Sequence, residues 1–331
     1  MYILAADIGG TKTLLQATQI ASGEHRVLKE QRFSSHAFSH VIPMVREFLA
    51  DMPPIQAACF GVAGPINTSP QRQRAQVTNL PWHLDSNILS KELSIANILL
   101  INDFQAVGYA IEGLSEENDF AVIQAGKPQR HGVKAVLGAG TGLGCGYLVC
   151  QNEHYQVMSS EGGHTDFAPT DAEQIKLLQY LLTKYPHVSY ERILSGSGLV
   201  NLYEFMRSQQ QNVGEPSPLE AEIASSADAP AIISTYALQQ KDQLAQHALH
   251  LFVKIYGAKA GNLALSSLAT GGLYIAGGIA PKIANVLKDG TFIKSFNDKG
   301  RMQTLLGDIP VKIILNPNVG LIGAVMAASR L

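Results

Sequence analysis

A chain of 331 residues, 46% hydrophobic and 16% charged, has the composition of an ordinary globular protein and the length for two domains that each bury a core. A formal net charge of −2 removes the electrostatic case for nucleic acid or an acidic membrane as partner. The cysteines Cys59, Cys145 and Cys150 lie in apolar surroundings without C-x-x-C spacing, which argues against a disulfide framework or a zinc knuckle and fits buried thiols of a reducing, cytoplasmic compartment.

The first residues contain no basic region, and Asp7 interrupts the opening apolar run, so no signal peptide is expected. Residues 1–6 and 14–20 are short apolar runs on either side of Asp7-Ile8-Gly9-Gly10-Thr11-Lys12-Thr13, a pattern that predicts a β-hairpin on a glycine-centred turn. Residues 57–65 read as a buried strand ended by Gly64-Pro65, and residues 98–101 as another ended by Asn102-Asp103. A helix is expected over residues 104–111, with Asp103 placed to cap it. This alternation implies a mixed sheet with helical cover.

The hairpin opening then repeats. Residues 135–137 and 145–150 flank Gly138-Ala139-Gly140-Thr141-Gly142-Leu143-Gly144. Beyond it come Glu161-Gly162-Gly163-His164 and a helix over residues 172–185. A Gln-rich solvent loop follows at 208–214, and a helix restarts at the capping box Ser217-Pro218-Leu219-Glu220. Residues 242–269 form a long helix with Leu244, Ala248, Leu251 and Ile255 on one face, stopping at Gly271-Gly272. Residues 273–276 are a buried strand closed by Gly277-Gly278. Residues 320–327 make a terminal helix able to return over the first domain. The uncharged stretch 260–281 has the length of a membrane span, but Asn262, Ser266, Ser267, Thr270 and two Gly-Gly pairs make it a buried helix end and strand.

Neither glycine turn fits G-x-x-x-x-G-K-[ST] or G-x-G-x-x-G, and each is followed by a strand rather than a helix. Two turns built alike, one opening each half, suggest a duplicated domain that grips a polyphosphate from two sides through backbone N–H groups. Asp103, at the carboxyl end of a buried strand, suits a general base; its plainer reading is a helix cap. Asp7, just before the first turn, suits Mg²⁺ held through water; its plainer reading is a turn-forming aspartate. Glu161-x-x-His164 resembles half of a helical metal pair, yet Gly162-Gly163 argues against a helix and no second such motif exists. Hydrogen bonding to a hydroxyl-rich ligand, or a core hydrogen bond of His164, fits better. Glu191 beside Arg192 reads locally as a helix-end ion pair.

In order along the chain, ADIGGTKT, FGVAGPI, LPWHLD, INDFQAVGYAI, GAGTGLG, EGGHTDFAP, ERILSGSGLVNLY, AGGIAPK and NPNVGLIGA resemble the bacterial glucokinase family, within the hexokinase, actin and heat-shock chaperone ATPase superfamily. The resemblance implies an α/β protein with a two-domain actin-like ATPase fold, a duplicated ribonuclease H-like unit with an interdomain cleft. Its small domain would be residues 1–111 plus about 318–331, and its large domain residues 112–317. The implied activity is in-line transfer of the γ-phosphoryl group of Mg²⁺·ATP to the 6-hydroxyl of glucose, with Asp103 as base. By the same resemblance, Asn102, Asp103, Glu161, His164 and Glu191 contact glucose. Asp7 with Gly9, Gly10 and Thr11 forms the first phosphate loop, Gly140, Thr141 and Gly142 the second, and Gly277 with Gly278 the adenosine loop. A homodimer is implied as well.

Two departures from related groups matter. Thr165-Asp166-Phe167-Ala168-Pro169 stands where related repressors and sugar kinases carry a cysteine-rich zinc site, so zinc is not expected. Asp7 lies too close to Met1 for the repressors' DNA-binding segment. Lys12 stands where the family often has Asn and is open to either a phosphate contact or a solvent role. The residues also leave open a kinase of another hexose or amino sugar, a catalytically silent sugar-sensing regulator, and an actin-like or chaperone ATPase without a sugar.

Overall fold

In the computed structural model, which describes residues 1–70, 72–210, 218–226 and 228–331, the opening runs become the antiparallel strands Tyr2–Ile8 and Lys12–Ala21. Both strands are buried over most of their length, and their pairing sets Ile8 opposite Thr13 across the turn. Glu24–Ser34 extends the meander, and Ala57–Val62 and Asn97–Asn102 add parallel strands on the other side of Tyr2–Ile8. Every residue of Ala57–Val62 is buried, as a strand covered on both faces requires.

The second half repeats this plan. The antiparallel pair Lys134–Ala139 and Leu143–Gln151 continues to His154–Ser160, while Gly272–Ala276 and then Val311–Ile314 add parallel strands on the far side of Lys134–Ala139. Phe120–Gln124 closes that edge antiparallel. Two sheets of the same strand sense, each a meander followed by parallel strands, make this the duplicated ribonuclease H-like, actin-like α/β fold.

The chain divides into two compact units, residues 1–119 with 155–157 and 316–331, and residues 120–154 with 158–315. In the first, the helix Val319–Ala328 returns over the sheet, burying Leu321, Ala324, Ala327 and Ala328 against Ile3, Ala5, Cys59, Ile101 and Ala106. In the second, the helix Gln243–Ser267 runs through the core with Phe252, Ile255 and Tyr256 fully buried. The Tyr256 hydroxyl donates to the Leu137 carbonyl and accepts from the Ala139 N–H, which fixes the strand that leads into the second glycine turn.

Several local expectations need correction. The first-unit helix is Asp103–Ala110, and its cap is Asn102: the Asn102 Oδ1 accepts from the Phe104 N–H while Gln105 Oε1 takes the Asn102 N–H. The helix Ala172–Leu182 ends short of residue 185. The long helix stops at Leu268 in the left-handed conformation, before the glycines are reached. Residue 208 ends the helix Gly196–Ser208, and residues 211–214 of the Gln-rich segment lie outside the described residues. So does Ser217 of the expected capping box, although the helix Pro218–Ser225 is present. Cys59 and Cys145 are buried, whereas Cys150 is only partly so. Among the described residues no helix is long and apolar enough to cross a membrane.

The terminal helix approaches Asp103–Ala110 so closely that a Cβ on Gly323 would stand 1.7 Å from the Ala106 carbonyl oxygen. Gly323→Val is expected to force the two helices apart and lower unfolding free energy by about 1–3 kcal/mol or more, as overpacking does. Gly307→Ala, in the exposed helix Gln303–Asp308 with open space around the new methyl, should instead gain about 0.5–1 kcal/mol. Urea unfolding of the two variants beside the parent checks both signs.

Candidate active site

The first turn is tied down from inside. Gly9 donates to the Lys12 carbonyl at 3.0 Å, the Ser35 hydroxyl donates to the Gly9 carbonyl at 2.8 Å, and the Ser35 N–H takes the Thr11 carbonyl at 3.0 Å. No acceptor among the described residues takes the N–H of Gly10 or Thr11. The second turn uses the same economy. Gly140 donates to the Gly142 carbonyl at 2.8 Å and accepts from the Gly196 N–H at 2.9 Å, while the N–H groups of Thr141 and Gly142 have no acceptor. A Cβ on Gly140 would meet nothing within 4 Å. Each turn therefore offers a pair of backbone donors, the arrangement an anion needs.

Gly277 and Gly278 lie just beyond the strand Gly272–Ala276 of the second unit. Gly277 has a φ of +84°, and a Cβ there would be 2.3 Å from the Ala139 carbonyl oxygen, so only glycine fits so close to the strand feeding the second turn. Around Gly278 there is open space.

Asp7 and Asp103 belong to the first unit and act on each other electrostatically. Loss of hydration raises the Asp7 carboxyl above its ordinary value; the Asp103 charge raises it further and Lys12 lowers it. Lys12 is thus exposed yet close enough to feel Asp7. Asp103 reaches solvent, but the protein around it removes enough hydration to raise its carboxyl too, against the lowering effect of the Phe104 N–H and Asn102. Asn102 and Asp103 share the Phe104 N–H, at 2.8 Å to Asn102 Oδ1 and 2.9 Å to Asp103 Oδ1, so the second oxygen of Asp103 is the one left for chemistry. Asn102 also donates through Nδ2 to the Gly64 carbonyl at 2.9 Å, which fixes its amide. Gly320, at the start of the terminal helix, presses on Asp7: a Cβ there would lie 3.1 Å from the carboxyl carbon.

In the second unit Glu161, His164 and Glu191 converge. His164 Nε2 lies 3.9 Å from Glu161 Oε2, and its Nδ1 lies 3.9 Å from Glu191 Oε1. The glycines between Glu161 and His164 do not abolish helical turning, as the sequence suggested, but tighten it to the 3₁₀ turn Gly162–His164. Glu191 does not pair with Arg192. Its Oε2 accepts the Leu143 N–H at 2.9 Å, at the end of the second glycine turn, and Arg192 stacks 4.4 Å from the Tyr185 ring centroid. One carboxylate thus joins the Glu161–His164 turn to the second glycine turn.

A divalent cation suits this chemistry in one way only. Asp7 offers a single carboxylate, and among the described residues no group of three or more His, Cys, Asp or Glu is placed to hold a metal ion. Mg²⁺ commonly binds through one carboxylate, waters and substrate phosphates, so the donor set fits an ion brought with the nucleotide.

Sequence reading passed over Gly320 and also Lys259, a buried lysine on the long helix. Gly320 lay within the recognised NPNVGLIGA run, but nothing local tied it to Asp7. Lys259 sits in a helix with the ordinary look of a core element.

The glucokinase family model matches residues 4–331. A glucokinase of Nostoc punctiforme is 47% identical over 346 aligned residues, covering 99% of both chains. A crystal structure of a glucokinase from an Antarctic psychrotroph superposes with a TM-score of 0.87 at 32% identity, covering 100% of this chain and 99% of that one. The Balamuthia mandrillaris glucokinase in complex with glucose gives 0.74 at 25% identity, covering 99% and 93%.

The capping arrangement separates two neighbouring side chains by experiment. A carboxyl with a raised native pKa binds protons more tightly folded than unfolded, so its ionisation costs stability once pH exceeds the unfolded value, and that cost vanishes below it. Asp103→Asn should therefore melt no lower than the parent at pH 7.5 and lose any advantage toward pH 4. Asn102→Ala should lose about 0.5–2 kcal/mol at both pH values, the usual toll for a missing cap. Thermal melts at the two pH values check the contrast.

Proposed function

The chain belongs to the glucokinase family, whose reaction is the ATP-dependent phosphorylation of glucose, and on that premise we propose how its own residues divide the work. Asp103 accepts the proton of the glucose 6-hydroxyl as that oxygen attacks the γ-phosphorus of ATP and the bond to ADP breaks. Asn102 orients the sugar beside it, and Glu161, His164 and Glu191 of the second unit take further sugar hydroxyls. The N–H groups of Gly10, Thr11, Thr141 and Gly142 receive phosphate oxygens, and Gly277 with Gly278 leaves room for the adenosine. Asp7 would hold Mg²⁺ through an intervening water. When bound, the ion neutralises charge on the transferring phosphates.

The observation that carries the assignment is the division between Asn102 and Asp103: Asn102 holds the capping box, while Asp103, which accepts the Phe104 N–H through one oxygen only, keeps a solvent-reaching carboxylate of raised pKa. A base with a raised pKa holds its captured proton better than an ordinary aspartate. The glucose complex of the Balamuthia relative supports the sugar assignment. A homodimer and a cytoplasmic location complete the reading, the latter supported by three free cysteines.

The test is turnover with glucose, mannose, fructose and N-acetyl sugars, on the parent and Asp103→Asn. Glucose should be phosphorylated best, and the variant should lose about 10²–10⁴ in rate while staying folded. The acid limb of kcat/KM in the parent should lie above the value of about 3.9 typical of a free aspartate. A folded Asp103→Asn enzyme with near-parental turnover would remove Asp103 as the base.

Gly140→Val separates fold from nucleotide binding. The position has a φ outside the left-handed region and open space for a side chain, so the melting temperature should hold. A branched side chain over the turn should nonetheless exclude the phosphates, raising KM for ATP by about tenfold or more if even one charge-assisted hydrogen bond is lost. Glucose binding without nucleotide, followed by titration calorimetry, should change far less.

A further inference from the structure

Lys259 is 6% exposed, and no carboxylate among the described residues forms an ion pair with it. Its Nζ donates to the Gly162 carbonyl at 2.8 Å and to the Thr165 hydroxyl at 2.8 Å, and lies 4.5 Å from the centroid of the Tyr190 ring. Burial lowers its pKa, partly offset by Cys145. A buried ammonium that rests on neutral oxygens and a ring is an expensive way to fill space, and an apolar side chain would fill it at lower cost.

The contacts of this ammonium are concentrated on two turns. Gly162 and Thr165 flank His164 in the turn that begins at Glu161, and Tyr190 adjoins Glu191. The turns are also tied to each other, because the Tyr190 N–H donates to the Thr165 carbonyl at 3.0 Å. Asn262, three residues along the same helix, donates to the Tyr190 hydroxyl at 3.2 Å. The Thr165 hydroxyl in turn donates to the Gly162 carbonyl at 2.9 Å. Without such a tie, the backbone of Gly162-Gly163 has wide conformational latitude.

We propose that Lys259 is a positioning residue for the sugar: its ammonium locks the turn bearing Glu161 and His164 to the turn bearing Glu191. The proposal rests on the sugar assignment above. Its effect is on how often the three side chains stand in the geometry that receives a hydroxyl set, and so on sugar affinity. Nucleotide binding uses other backbone groups and meets these turns only through the Glu191–Leu143 bond, so it should change far less.

The experiment measures melting temperature, kcat, and KM for glucose and for ATP in Lys259→Met, Lys259→Arg and Thr165→Val. Losing two charge-assisted hydrogen bonds should raise KM for glucose about tenfold or more in Lys259→Met, leave KM for ATP within about twofold, and change kcat less than KM. Lys259→Arg, which keeps the charge and donors, should recover part of the loss. A folded Lys259→Met enzyme with unchanged KM for glucose overturns the proposal, and a lower melting temperature with that KM unchanged makes the lysine purely structural. Should Lys259→Met fail to fold, Thr165→Val decides: removal of one acceptor should raise KM for glucose severalfold, and no change overturns the proposal. Failure of the parent to phosphorylate glucose would instead overturn the sugar assignment itself.

Discussion

A backbone N–H without an acceptor is costly in a folded chain unless water or a ligand takes it, and two hairpin turns here each keep a pair of them. The arrangement depends on strands that are rigid up to the turn. Tyr256 bonds both to Leu137 and to Ala139 in the second unit, and Ser35 braces Gly9 in the first. With the frame fixed, the donors point outward because the turn's internal bonds have already been made by their neighbours. Hairpin geometry alone thus leaves each turn a pair of backbone donors suited to an anion.

Around those donors the carboxylates are sorted by environment. Asp7 and Asp103 both lose hydration, and Asp7 also feels the Asp103 charge, so both protonate more readily than a surface aspartate. The like-charge cost between them is one that a cation and a substrate proton can each relieve. Glu191 is different: its carboxylate spends one oxygen on the Leu143 N–H and turns the other toward His164. Movement at the second glycine turn would therefore be felt at the histidine through a single side chain.

Much of this was legible in the residues. Short apolar runs around glycine turns marked both hairpins, and the apolar runs at 57–65 and 98–101 marked parallel strands, the first fully buried and the second only partly. What escaped was decided between neighbours or across long stretches of chain. Asp and Asn cap a helix about equally well, so nothing local could tell Asn102 from Asp103; Gln105, three residues on, completes the box on Asn102. Glu191 and Arg192 adjoin in sequence but diverge on a 3₁₀ turn, one toward Leu143 and the other over Tyr185. Gly320 against Asp7, and Lys259 beneath residues 162–165, are contacts between segments far apart in the chain, which periodicity does not encode.

The helix Val319–Ala328 covers a sheet whose strands all lie within the first 102 residues. During synthesis that sheet emerges early, with Ile3, Ala5 and Cys59 exposed on the face the helix will occupy. The second unit, nearly continuous in sequence, can close its core before those last residues leave the ribosome. The first unit cannot, and it must wait in a partly open state for the full length of its companion to be made. A nascent chain of this kind presents an apolar sheet face to solvent for longer than its size alone requires.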